Sequence, residues 1–85
     1  MSTPFETLIE ELVTAADGEV IDKSRVIDRL LDLRNAAASP ALVEAVDRLL
    51  GSVPGRTMVT TEWWRESLEN LRIAAVIERE RATAI

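Results

Sequence analysis

The 85-residue sequence contains neither cysteine nor histidine. Without cysteine there can be no disulfide bond, no thiolate zinc site and no thiol nucleophile. Without histidine, the commonest general base and the commonest metal ligand are also missing. Acid–base chemistry would have to depend on Asp, Glu or the only lysine, Lys23, and no two of these stand at a spacing that a familiar reaction requires. The composition therefore predicts a non-catalytic protein without a metal ion or other cofactor.

Long apolar runs are also missing. The longest strictly apolar run is the five-residue segment IAAVI, residues 73–77, whereas a membrane-spanning helix needs about 20 apolar residues. The first 13 residues, MSTPFETLIEELV, contain three Glu and no basic residue, unlike a secretory signal peptide. We therefore expect a cytoplasmic protein that does not contact membranes.

Positive charge is scarce. Fifteen acidic residues against ten basic ones give a net charge of −5, which disfavours binding to nucleic acid because that binding needs clustered positive charge. Nine of the ten basic residues are Arg. Either a GC-rich coding genome or selection for bidentate contacts produces such a bias, and the genomic explanation is favoured. This composition favours a small acidic protein of bacterial or phage origin.

What the sequence does contain is aliphatic residues in helical periodicity. The hydrophobic content is 47%, with one Phe and two Trp, so the core of this small domain must consist mainly of Leu, Ile, Val and Ala. A core of this size gives only a few kcal/mol of net stability, and association is one way to add to it. We expect one helical domain over residues 1–85.

Helix-capping and helix-ending residues, namely Thr, Ser, Pro and Gly, predict that the chain forms four helices. Thr3-Pro4 and Ser39-Pro40 each place a capping residue before a proline at the first helical position, and Asp22 can cap a further helix. Gly18 and Gly51 are predicted to end helices. The predicted helices cover about 4–16, 23–37, 40–50 and 60–82. In the first of them, Glu6, Glu10, Glu11 and Thr14 are expected on the side away from the core.

Two short segments, 19–21 and 57–59, are candidates to pair as a minimal two-stranded ribbon. Pro54-Gly55 between them fits a type II turn, with glycine at the position that requires a positive φ. The predicted fold class is therefore all-α, a small four-helix domain with a long C-terminal helix and this optional ribbon. Residues 78–81 alternate Glu and Arg, and residues 78–85 are predicted to form a projecting helical tail.

The junction Ala15-Ala16-Asp17-Gly18-Glu19-Val20 resembles the helix junction of tellurite-resistance TerB-like domains. The resemblance covers these six residues, and no function is carried over from it. An EF-hand calcium loop is excluded, because aligning Gly18 with the obligatory glycine puts Val13, Ala15 and Ser24 at ligand positions.

The C-terminal helix carries the most informative pattern. At about 100° per residue, its core-facing stripe contains Trp64, with Trp63, Ala74 and Ile77 on the flank. Ile73 and Val76 project from the charged side. The segment 73–77 is therefore apolar all round, which is typical of a helix that is covered on every side. The other stripe residues are Leu68, Leu71 and Ala75. The predicted interaction surface comprises Trp63, Arg72, Ile73, Val76 and Arg79. The alternative is that Trp63 packs under the 52–59 loop and that the first or second helix covers Ile73 and Val76.

The acidic residues of this helix are interpreted as a solvated face rather than a cation site. Glu62, Glu66 and Glu69 share one side, where Arg65 and Arg72 are interleaved with them. We expect the ion pairs Arg65–Glu69 and Glu69–Arg72, at spacings of four and three residues.

The favoured function is a protein–protein interaction or regulatory module. It would self-associate as a homodimer or dock on a protein partner through its C-terminal helix, without a small-molecule ligand. The alternative is a winged-helix-like DNA-binding regulator whose recognition helix begins at Ser39-Pro40, although Glu44 and Asp47 against one Arg48 make nucleic-acid binding a poor match. A minor enzyme or enzyme subunit would instead require a concave pocket with converging polar groups.

Overall fold

A computed structural model describes residues 3–83 of the chain. These residues form four helices and one small antiparallel sheet, which confirms the predicted fold class. The elements in chain order are α1 (Pro4–Ala15), β1 (Val20–Asp22), α2 (Lys23–Ala36), α3 (Pro40–Ser52), β2 (Met58–Thr60) and α4 (Thr61–Thr83).

Helix α4 is the element on which the others are assembled. Helices α1 and α3 both pack on it, α2 packs on α3 and α1, and the two strands lie near the start of α4. The long helix gives the molecule extents of 44 × 23 × 17 Å.

The buried core consists mainly of aliphatic residues, as the composition predicts, and every helix contributes to it. Phe5 and Ile9 come from α1, and Trp64 comes from the start of α4. The remaining large buried apolar side chains are Val26, Leu30, Leu33, Leu42, Val46, Val59, Leu68 and Leu71.

Three of the four helix starts are capped by hydroxyl groups. The Oγ atoms of Thr3, Ser39 and Thr60 accept hydrogen bonds from the backbone N–H three residues further on, at 3.2, 3.3 and 3.2 Å. Such bonds satisfy amide groups that have no partner within the helix. Asp22 also occupies an N-cap position, but within residues 3–83 its side chain makes no capping hydrogen bond, so this part of the prediction was wrong.

Two glycines adopt the left-handed backbone where the sequence predicts it. Gly18 has φ +75° after the end of α1, and Gly55 has φ +79° in the loop before β2. At Gly55 a Cβ atom would lie only 2.2 Å from the Met58 carbonyl oxygen, so the close approach of the backbone requires glycine there as well.

Helix α3 continues past the predicted stop. It includes Gly51 and Ser52, and Val53 is the first residue outside it, with φ −59° and ψ 119°. Val53 precedes Pro54, and a residue before proline is driven out of helical geometry by the proline ring. The steric effect of Pro54, rather than the flexibility of Gly51, therefore ends the helix.

The predicted ribbon forms, with each strand one residue later than expected. Val20 pairs with Thr60, Ile21 with Val59 and Asp22 with Met58. Backbone hydrogen bonds from Thr61 N to Glu19 O (2.9 Å) and from Lys23 N to Thr57 O (2.8 Å) extend the pairing at both ends. The Lys23 ammonium group also donates to Gly55 O at 2.7 Å, which ties the 53–57 loop to the start of α2.

The segment predicted to project as a tail is a continuation of α4 as far as residue 83. Glu78 and Arg79 are half-buried, whereas residues 80–82 are exposed. Residues 84 and 85 of that predicted tail lie outside the described residues.

Candidate interaction surface

Two faces of α4 differ sharply in exposure. Trp64, Leu68, Leu71 and Ala75 are all buried against the rest of the domain, as the periodicity predicts. They recur at spacings of three and four residues, which keeps their side chains on one side of the helix.

The opposite side of α4 carries five exposed residues at the same kind of spacing. We call this set the outer face of α4, and at its centre Ile73 and Ile77 are 49% and 50% exposed. They lie about 40° apart around the helix and one turn apart along it. The outer face comprises Glu66, Asn70, Ile73, Ile77 and Glu80.

The exposure of Ile77 corrects the prediction that it flanks the core. Its position is about 160° or more from those of Leu68 and Ala75 around an ideal helix. Ala74, which is also predicted on the flank, is half-buried and packs on the core cluster.

The five residues predicted as one interaction surface do not form one patch. Ile73 lies on the outer face of α4, and Val76 is half-buried at its edge. Trp63 is half-buried three turns away near the start of the helix and packs against the core cluster. Arg72 and Arg79 are rotated from Ile73 by about 100° and 120°, towards α1.

Arg72 forms a two-pronged ion pair with Glu69, as the spacing predicts. Its Nε donates to Glu69 Oε2 at 3.0 Å, and its Nη2 donates to the other carboxylate oxygen. This hydrogen bonding lowers the pKa of Glu69 and raises the pKa of Arg72. Both side chains are about half-exposed, and exposed pairs of this kind contribute little to stability.

Arg79 forms an ion pair that links α4 to the start of α1. Its Nε lies 3.0 Å from Oε1 of Glu6. Glu6 is buried, although the sequence pattern placed it on the solvent side of α1. The correction has a physical reason, because a buried carboxylate is stable when a cation and hydrogen bonds compensate for lost hydration.

Arg65 has a different partner from the predicted one. Instead of pairing with Glu69, its Nη2 donates to the backbone carbonyl of Ala16 at 2.6 Å. Ala16 is the C-cap residue of α1, and carbonyls at a helix C-terminus carry partial negative charge. Arg65 therefore links α4 to the end of α1, and Arg79 links α4 to the start of α1.

A half-open groove of about 370 Å³ lies between the end of α1, strand β1 and the start of α2. Its apolar wall includes Leu12, Val26 and Trp64, together with the exposed side chains of Val20 and Met58. The charged residues along the groove are Asp17, Asp22, Arg25 and Arg29.

No match to this chain is found among protein-family models, curated proteins or solved structures. Across residues 3–83, none of the helices combines the length and apolar character needed to cross a bilayer. The same residues hold no cluster of acidic side chains arranged to bind a metal ion.

Sequence reasoning missed Ile77, Asn70 and Glu66 as members of the surface around Ile73. A signal was present, since residues 66, 70, 73, 77 and 80 recur at alternating spacings of four and three. This is the repeat with which one helix packs along another. The buried stripe of α4 has the same spacing, and the sequence alone gives more weight to the stripe that is richer in apolar residues.

Proposed function

We propose that this protein is a non-catalytic interaction module that binds protein through the outer face of α4. The observation that carries the proposal is the pair Ile73 and Ile77, each about half-exposed in the middle of a long helix. Polar residues lie before and after the pair along the stripe, in the arrangement of a small apolar centre with a polar rim.

A helical partner fits this surface best. The alternating three- and four-residue spacing lets the side chains of one helix insert between those of another. Because the opposite face of α4 is already buried, the partner can bind without any rearrangement of the domain. The cytoplasmic location expected from the composition and the regulatory role expected of such a module are part of this proposal.

The decisive experiment substitutes Ile73→Glu and compares it with Leu31→Glu. Leu31 lies on α2 and is 44% exposed, so both substitutions place the same charge on a similarly exposed aliphatic site. We expect Ile73→Glu to weaken association by about tenfold or more, since it inserts a charge into the apolar centre. Association is measured by sedimentation of the pure protein and by photo-crosslinking at residue 70 in a lysate of its source cells.

The control should associate like the wild type, and both variants should retain the helical circular dichroism of the wild type. Val76→Glu is expected to act in the same direction as Ile73→Glu, with an added loss of stability because Val76 is half-buried. The proposal is overturned if the protein stays monomeric and residue 70 captures nothing that Ile73→Glu releases.

A winged-helix-like DNA-binding regulator is the second candidate, and the order α1, β1, α2, α3, β2 favours it. The chemistry of α3 favours it less. Arg48 pairs with Glu44 at 2.7 Å, and Asp47 pairs with Arg34 at 2.8 Å, so the arginines near this helix already have acidic partners. A mobility-shift assay with genomic fragments at low salt tests the candidate, and absence of binding there would end it.

A further inference from the structure

The outer face of α4 complements a second copy of itself when the two helices run in opposite directions. If Ile73 of one copy lies opposite Ile77 of the other, the two-fold axis requires the reverse contact as well. Four isoleucine side chains then meet at the centre. Val76 of both copies lies beside the axis, where its half-buried side chain becomes covered.

At both ends of the helix pair, the same alignment brings hydrogen-bond donors of one copy next to carboxylates of the other. Asn70 lies opposite Glu80 of the second copy, so that its amide can donate to the carboxylate. Glu66 lies next to Arg81 of the second copy, whose side chain is 73% exposed and lies 3.7 Å from Glu78 of its own helix. Each of these contacts occurs twice, once on either side of the axis.

A parallel arrangement of the same helices lacks this complementarity. It would place Glu66 against Glu66 and Glu80 against Glu80, and juxtaposed like charges oppose association. The antiparallel arrangement moves the two copies of Glu66 apart along the axis, and likewise the two copies of Glu80, and it keeps the isoleucine contacts.

We infer that the occupant of the outer face of α4 is a second copy of this chain, bound antiparallel about an axis near residue 75. The inference rests on the proposed function and specifies its partner. The contact is one helix pair about four turns long with four isoleucines at its centre, so it belongs to the small interfaces that assemble reversibly.

Disulfide trapping tests the orientation, because the natural chain has no cysteine. The variants are Asn70→Cys and Glu80→Cys, both at exposed positions. In the antiparallel pair, residue 70 faces residue 80, whereas the two copies of residue 70 are about 15 Å apart along the axis. That distance exceeds the Cα separation of about 7 Å that a disulfide can bridge.

We expect a mixture of the two variants to form the 70–80 disulfide about tenfold faster than either variant alone forms its own dimer. Adding Ile73→Glu to both variants should abolish the difference in the rate of disulfide formation between the mixture and the single variants. Adding Leu31→Glu instead should preserve that difference. Circular dichroism of each variant checks that the fold is retained.

The other outcomes separate this inference from the proposed function. Rapid disulfide formation by Asn70→Cys alone would indicate a parallel pair and overturn the orientation, while leaving the outer face as the binding surface. If the pure protein remains monomeric at high concentration, the inference that a second copy of the chain is the partner is overturned. The proposed function would then stand only if residue 70 crosslinks to another protein in the lysate and Ile73→Glu prevents it.

Discussion

The two faces of α4 both carry aliphatic residues in the middle of the helix, but one face is buried in the domain and the other is exposed to solvent. On the inner face, Leu68 and Leu71 are buried beneath α1 and α3, whereas Ile73 and Ile77 on the outer face are half-exposed. Both pairs are aliphatic and both belong to stripes with a spacing of three and four residues. This periodicity therefore locates the two faces of a helix, and the packing of neighbouring helices decides which of the two faces is buried.

The two flanks of α4 differ as well. On the side of α1, the long side chains of Arg65 and Arg79 reach across to Ala16 and Glu6. On the other side, Ser67 is buried and Ala74 is half-buried, and small residues allow close approach of a neighbouring helix. Polar contacts of Arg65 and Arg79 therefore link α4 to α1 on one flank. On the other flank, the small side chains of Ser67 and Ala74 pack against the domain.

The largest effect is expected at the inner face. Leu68→Ala removes a fully buried side chain, and loss of its contacts plus the remaining cavity should lower the free energy of unfolding by about 2–5 kcal/mol. Denaturant unfolding followed by circular dichroism measures the change. A loss below about 1 kcal/mol would mean that the inner face is less tightly packed than its burial indicates.

The next effect is expected at the flank that faces α1. Arg79→Met removes the cation beside buried Glu6 while keeping most of the aliphatic length. We expect a loss of about 1–2 kcal/mol, below that of a fully buried pair because the Arg79 side chain is 37% exposed. Arg81→Met is the matched control, since Arg81 belongs to the same helix and is far more exposed.

A double variant sharpens this test. Glu6→Gln combined with Arg79→Met leaves no unpaired buried charge, so it should recover part of the lost stability. If the double variant is as unstable as the sum of the two single variants, the two residues do not act as a pair.

A smaller effect is expected at the outer face. Ile73→Ala should change the free energy of unfolding of the monomer by no more than about 0.5 kcal/mol, because half of the side chain is already in water. The measurement is made at a protein concentration below that of association. A loss approaching that of Leu68→Ala would abolish the distinction between the two faces.

The smallest effect concerns pH. Arg72 lowers the pKa of Glu69 in the folded state, so the pair stabilises the fold above the unfolded pKa of a glutamate. This contribution disappears as the pH falls through the lowered folded pKa. Glu69→Gln should therefore be slightly less stable than the wild type at neutral pH and equally stable in acid. A constant difference at both pH values would indicate that the ion pair is not its source.

Most of the backbone could be predicted from short-range signals. Thr3 and Ser39 begin helices because their hydroxyl groups cap amides three residues away, and Gly55 accepts the positive φ of its turn. These causes operate within a few residues, so the sequence displays them directly. The same holds for the buried stripe of α4.

Two errors at the candidate site concern contacts between residues that are far apart in the sequence. Glu6 is buried because Arg79 lies beside it, and Arg65 turns from Glu69 to the carbonyl of Ala16. Periodicity within one helix cannot show either partner. Ile77 is a different case, because its position about 160° or more from Leu68 and Ala75 around the helix already indicates the outer face.

The attachment of Lys23 to Gly55 has a practical consequence. Lys23 is the only lysine in the chain, and its amine is held by a carbonyl 32 positions away. An acylating reagent would therefore have this one side-chain amine to modify, and modification would require it to leave the carbonyl first. The rate of labelling thus reports how often the 53–57 loop detaches from the start of α2, without any fluorophore or engineered residue.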